Sequence, residues 1–468
     1  MSDQFEGPPP APWELEDGPP PPPIDKPVTS ALPQSSRLIA RRRTLREVVA
    51  AVDSPDQLGI PVTIVQDLIL KILFNEGEAS LRRLGSVIKV QPNLIDMLVE
   101  QMQQEHLVEV ARAGGAGRFS YIFRLTDAGD KRTKDAFERS HYVGPAPVNL
   151  DAYNEAVVLQ TENRSRVTPD EVRHALSHLI LPDNFHRSIG PAINEGSSLF
   201  LYGPPGNGKT TVAEAIGRIL TGTSPIFLPY AVTVAGYIIV LHDAIIHKPA
   251  DVDAKTVAEN FGEVDPRWGI FDRPVVIVGG ELTMEAVELR FEEIAKFYEA
   301  PLQMKANGGM FLIDDFGRQQ ISPSELLNRW IVPLESKVDY LRLRSGQTME
   351  IPFEQLIVFS TNLDPHDLVD DAFMRRIQMK VGVHSPDLKM FYQIFRIMAE
   401  ALDVPFDEAS FRYLIETWYQ KPGRTMQAVH PRDLIKIVKA LCEYEGSPPH
   451  LSPSLIDEAC TSYFVAGV

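Results

Sequence analysis

Cysteine is nearly absent from this chain of 468 residues, which holds only Cys442 and Cys460. That excludes a disulfide scaffold and a cysteine-rich zinc site, and the two read as core thiols in a reducing interior. Nowhere does an uncharged apolar run reach the roughly 18 residues that a membrane helix needs, and residues 1–18 lack a basic stretch followed by an apolar one. The expectation is a soluble, cytoplasmic protein without a membrane segment. Positive charge is in deficit too, with 46 Lys and Arg against 63 Asp and Glu, a net charge of −17. An acidic surface repels nucleic acid, so any such contact needs a local basic patch. Length is not lacking: at about 150 residues per domain, two or three domains are expected.

The 38 prolines are unevenly spread, with 11 in the first 33 residues among Glu14, Glu16, Asp17 and Asp25. Such a segment buries too little apolar surface to offset its ordering entropy, so residues 1–36 read as a disordered acidic tail. Arg37, Arg41, Arg42, Arg43 and Arg46 then crowd together, as a solvated helix start or a contact for an acidic group.

Residues 37–141 read as a small α+β domain. Ile64, Val65, Leu68, Ile69, Ile72 and Leu73 recur at helical spacing; a short second helix follows around Leu84 and Ile88, and a third carries Leu94, Ile95, Leu98 and Met102. A strand at 107–110, a glycine-rich turn at 112–118 and a returning strand at 119–125 complete a pattern that resembles a winged helix. In that fold the third helix reads DNA. Here it bears Asp96, Glu100 and Glu105 and no Lys or Arg, and only the wing, with Arg112 and Arg118, is basic. Protein docking or self-association is therefore favoured over DNA binding. Residues 142–167, opened by Gly144, Pro145 and Pro147, read as a linker, after which Thr168, Pro169 and Glu171 signal a helix start. His174 and His178 lie four apart on that helix without a third metal ligand, and read as a surface pair.

The strongest chemical signal is Gly203-Pro204-Pro205-Gly206-Asn207-Gly208-Lys209-Thr210-Thr211, which fits G-x-x-x-x-G-K-[ST] between an apolar strand and a helical pattern. Its glycines let backbone N–H groups converge on phosphates, Lys209 reaches the β and γ oxygens, and Thr210 suits magnesium. Downstream, the apolar run 310–313 ends in Asp314 and Asp315, placing carboxylates at the C-terminal edge of a sheet. Asp314 is the expected second magnesium ligand, and Asp315 the group that orients or deprotonates the attacking water. A further strand, 356–359, runs into Ser360-Thr361-Asn362, whose polar tip would position the water or sense the γ-phosphate.

In this order the motifs resemble the AAA+ ATPases. The glycine loop is similar to Walker A, the Asp314-Asp315 strand to Walker B, and Ser360-Thr361-Asn362 to sensor 1. The stretch 368–377, with Arg375 and Arg376, resembles the helix end that carries the arginine finger, and His430-Pro431-Arg432-Asp433-Leu434 resembles sensor 2 on an α-helical lid. One departure concerns Asp315, which stands where the family usually has Glu and is one methylene shorter. The resemblance implies an α/β domain over 168–385 with a parallel P-loop sheet, a helical lid over 386–468, and ATP hydrolysis with Mg2+. It also implies a homo-oligomeric ring or partial ring that acts on a protein partner held by the N-terminal domain. A DNA-directed ATPase of the initiator or helicase-loader type is the alternative, as is a slow ATP-dependent switch, which the shorter Asp315 would favour.

The interval from Lys209 to Asp314 exceeds two crossover units of about 30 residues each, so an insertion is expected around 225–305. Within it a long helix is expected from Thr283 to about Tyr298, and Tyr230, Tyr237 and Trp268 are candidate pore aromatics. Arg318 and Arg329, just after the carboxylate pair, are candidate contacts to a neighbouring subunit.

Overall fold

Five short runs rich in β-branched, leucine and aromatic residues build the central sheet: Ser198–Tyr202 (β1), Val275–Val278 (β2), Met310–Ile313 (β3), Leu356–Thr361 (β4) and Met379–Gly382 (β5). The computed structural model describes residues 43–114, 118–196, 198–364 and 374–464, and from Thr44 onward the chain forms one compact unit. The acidic tail and most of the arginine cluster lie outside the described residues. All neighbours in the sheet are parallel, in the order β2-β3-β4-β1-β5. Its two faces are sorted by the period of the strand. Leu199 and Leu201 face the helices Phe185–Glu195 and Lys209–Thr221, while Phe200 joins Phe311, Phe359 and Trp330 on the other side, under the helix Pro323–Ser336. Burial on both faces explains why the inner strands β3, β4 and β1 read as continuous apolar runs.

Beyond the sheet, the helices Leu388–Ala401, Glu408–Leu414, His430–Glu445 and Pro453–Tyr463 form a bundle around Phe391, Phe395, Leu434 and Ile456. Cys442 and Cys460 are buried there as free thiols, and burial pushes the Cys460 thiol up to about 12. Among the described residues no helix is long and apolar enough to cross a membrane.

At the N-terminal end, the helices Val62–Glu76, Leu81–Ile88 and Pro92–Gln104 are followed by antiparallel strands Val108–Arg112 and Ile122–Leu125, the latter also pairing with Glu78–Ser80. Both arginines expected on the wing are engaged. Arg118 Nε donates to Asp96 Oδ1 on the third helix at 2.5 Å, and Arg112 pairs with Glu78.

Two expectations are corrected here. The segment 142–167 is no linker: it supplies the edge strand Val148–Asn149 and the helix Leu150–Glu162, whose Tyr153 and Ala156 are fully buried. Its prolines end before the helix starts, and the Asn149 side chain caps that helix by accepting from the Ala152 N–H at 2.7 Å. The long helix expected from Thr283 is instead a single 3-10 turn, Met284–Val287, and a hairpin, Arg290–Glu292 with Phe297–Glu299. Cross-strand packing of Phe291 on Tyr298, with ring centroids 4.9 Å apart, wins over the helical spacing of the same apolar residues.

This hairpin, with Tyr237–Val240, Ala231–Val234 and Val148–Asn149, makes a second five-stranded sheet. The expected insertion is thus the body of a subdomain whose core continues into that of the N-terminal helices. Trp268 is buried in it and Tyr237 packs edge-on against Tyr298, so these aromatics serve the core. Arg329 is also internal: it donates to Glu288 and Asp339, the latter fully buried.

The joint between the N-terminal helices and this subdomain is polar and dry. Arg267 and Asp265 are 3% and 2% exposed and pair at 2.7 Å, while Arg267 Nη1 also donates to the carbonyls of Leu58 and Pro147 at 3.0 and 3.1 Å. Removing one member of such a pair strands the other charge out of water. Arg267→Ala is expected to destabilise the protein by about 3–5 kcal/mol, read from urea unfolding midpoints, whereas breaking the exposed Arg344–Glu293 pair by Glu293→Gln costs about 0–1 kcal/mol.

Candidate functional site

Strand order decides which motifs meet. β4 lies between β3 and β1, with Phe359 opposite Ile313 and Thr361 opposite Tyr202, so the residue that leaves β4 stands between those leaving its neighbours. That residue is Asn362. Its Oδ1 accepts from Lys209 Nζ at 2.5 Å and its Nδ2 donates to Asp315 Oδ1 at 2.8 Å. On the far side, Thr210 Oγ1 donates to Asp314 Oδ2 at 2.8 Å, and the Asp315 N–H donates to Asp314 Oδ1 at 3.1 Å. Five residues from three strand ends form one hydrogen-bonded chain, at the C-terminal edge where open α/β sheets bind ligands.

The loop before Lys209 is shaped by backbone that only glycine adopts easily. Gly203 has φ +137°, and a Cβ there would stand 2.3 Å from the Val383 carbonyl oxygen; at Gly206, φ is +74° and a Cβ would stand 2.8 Å from Val429 Cγ1. Lys209 opens the helix Lys209–Thr221, and its ammonium turns back to donate to the Gly203 and Pro204 carbonyls at 2.8 and 2.9 Å. Burial draws its pKa below the usual lysine range, opposed by Asp314 and Asp315. Asp315 is exposed and adopts the left-handed region, φ +49°, which Asp tolerates better than most residues. Thr210 and Asp314 are hard oxygen donors in contact, a set that suits magnesium.

The helical bundle meets the loop directly. Val429 N–H donates to the Gly206 carbonyl at 2.9 Å, Ala428 N–H donates to Asn207 Oδ1 at 3.1 Å, and Asn207 Nδ2 donates to Ser385 Oγ at 3.2 Å. Sequence reasoning placed Asn207 in the loop and missed this joint; a buried Asn at an unconstrained motif position is the only trace it leaves in the sequence. Between loop and bundle lies a cavity of about 220 Å³ lined by Gly206, Gly208, Thr211, Ile394, Met398 and Arg432. Arg432 is half exposed, its Nε donating to Asp433 at 2.9 Å. The other predicted arginines lie apart from this cavity. Arg376 donates to Glu335 at 2.6 Å and Arg375 is exposed. Asp370 and Asp371, with the rest of 365–373, lie outside the described residues, and His174 and His178 belong to no metal-binding cluster among the described residues.

Comparison with known proteins gives partial matches. Residues 387–462, nearly all of the bundle, match a family described as a domain of unknown function (DUF8689). A vesicle-fusing ATPase of Dictyostelium discoideum is 41% identical over 56 residues, 12% of this chain and 7% of that protein. Among solved structures, NtrX from Brucella abortus aligns at TM-score 0.37 and 15% identity over 63% of this chain and 58% of that one. Its complex with ATP aligns at 0.38 and 15% identity over 60% and 55%, and a Thermotoga maritima RuvB mutant at 0.34 and 14% identity over 63% and 72%.

The bundle side of the site carries a pH dependence. Burial holds His430, whose Nδ1 contacts the Tyr419 hydroxyl at 2.9 Å, down to about 4, with Arg424 acting the same way and Asp433 opposing. Unfolded, this histidine titrates near 6.5, so the unfolded chain binds the extra proton first and stability falls as pH drops below that value. Between pH 7.5 and 5 the loss is about 2 kcal/mol from this residue. Urea midpoints at the two pH values are expected to lie closer together in His430→Phe than in the wild type; equal spacing would remove His430 from the effect.

Proposed function

We propose that the chain is an ATPase of the AAA+ type, in which the loop 203–211 holds the nucleotide phosphates and the helical bundle acts as the lid. The observation that carries this reading is the Asn362 amide, which joins Lys209 to Asp315. This bridge sets the phosphate-binding cation and the acidic group around one gap. The partial identity with a vesicle-fusing ATPase supports the same reading.

In this account phosphate oxygens replace the Gly203, Pro204 and Asn362 oxygens as acceptors for Lys209. Thr210 and Asp314 would hold magnesium, which when bound would supply positive charge beside the phosphates. Asn362 orients a water in line with the bond from the γ-phosphorus to the β–γ bridging oxygen, and Asp315 accepts its proton as that bond breaks, giving ADP and phosphate. Arg432 draws the lid onto the nucleotide. Of the two candidate fingers, Arg375 is the better placed to reach a neighbouring subunit's γ-phosphate, since Arg376 is engaged by Glu335. A homo-oligomer whose turnover depends on assembly follows, and it would remodel a protein partner carried by the winged-helix-like N-terminal domain. DNA is disfavoured as that partner, because Asp96 and Glu78 engage Arg118 and Arg112.

Lys209→Ala is expected to abolish binding of a fluorescent ATP analogue. Asp315→Asn keeps the binding and lowers phosphate release at least a hundredfold, on the order of general-base effects. Full turnover by Asp315→Asn would take Asp315 out of the mechanism.

A further inference from the structure

A second cavity, of about 400 Å³, lies far along the fold, between the helices Val62–Glu76 and Asp127–Arg139 and the hairpin tip at Ala235 and Gly236. Three cations line it, Lys71, Arg139 and Lys296, against a single carboxylate, Asp67. Lys71 is the unusual one. It is 3% exposed, yet no carboxylate of the described residues forms an ion pair with it; its ammonium has the Tyr142 carbonyl at 3.5 Å and the Phe137 ring at 5.8 Å. Asp67 is taken by Arg139 at 2.7 Å, and Lys296 donates to the Glu138 carbonyl at the same distance.

A lysine kept only for packing has no reason to carry its charge here, because a buried ammonium with one long hydrogen bond costs free energy that a methionine would not. Burial draws the Lys71 pKa down to about 8, the mark of a charge short of partners. The three cations less Asp67 leave a charge of +2 around the cavity, which two negative charges on one ligand would match. The volume admits a phosphate with a small organic group attached.

We propose that this cavity binds a small phosphate-bearing dianion, with Lys71, Arg139 and Lys296 as its cations. The site lies where the N-terminal helices meet the second sheet, so its occupant would add a contact to a joint already held by a shared apolar core. Nothing in this assignment rests on ATP hydrolysis.

The test is calorimetric titration of the full-length chain carrying Lys209→Ala, which silences the glycine loop, with inorganic phosphate at fixed ionic strength. Saturable binding at one site per chain is expected, weakened at least tenfold by Lys71→Met and by Arg139→Gln. Lys71→Met removes a desolvated charge and should keep or raise the melting temperature; the exposed Lys296→Gln serves as the third variant. Phenyl phosphate binding more tightly than phosphate would identify an organic phosphate as the occupant, and equal affinity would identify the free ion. Absence of saturable binding, unchanged affinity in Lys71→Met, or acetate binding as tightly as phosphate would overturn the proposal.

Discussion

The Asn362 amide touches both halves of the nucleotide site, and it does so because of strand order. A parallel sheet ordered β2-β3-β4-β1-β5 puts the end of β4 between the ends of β3 and β1. From there one side-chain amide accepts from Lys209 and donates to Asp315. Had β4 been placed at the sheet edge, the same three motifs would end too far apart for one side chain to join them. The glycine loop depends on the same arrangement, since Gly203 can lie against the Val383 carbonyl only because β5 pairs with β1.

Around this centre the molecule is built from two kinds of joint. The bundle meets the loop through one backbone hydrogen bond, from Val429 to Gly206, and two made by the Asn207 side chain, beside an apolar cavity. A joint of that kind can open at modest cost, which suits the lid role proposed for the bundle. The N-terminal helices, by contrast, share a continuous apolar core with the second sheet and are pinned by the buried Arg267–Asp265 pair. They should move with that sheet as one body.

The convergence of Lys209, Thr210, Asp314, Asp315 and Asn362 was legible in the sequence because each motif follows a strand that reads as an apolar run. The capping box at Thr168 and Glu171 was legible for a similar reason, being a local pairing of side chain and backbone. What the sequence concealed was non-local. Residues 142–167 read as a linker because their partners, Phe227 for Gln160 and Asn307 for Tyr153, lie 67 and 154 residues away. The hairpin at 290–299 carried helical spacing, and the pairing of Tyr298 with Phe291 and, in parallel, with Ile239 on a distant strand made it β. Arg329 read as a surface contact, since its buried acceptor Asp339 is recognisable as buried only once the strand Val338–Arg342 is in place. Lys71 fell within an apolar helical stripe that otherwise predicted core.

The most direct measurement is Mg2+-dependent ATP hydrolysis by the full-length chain over a range of protein concentrations. The account predicts phosphate release whose specific activity rises with concentration as subunits meet. Phosphate release that stays at background at every concentration, from protein that binds ATP, would contradict it.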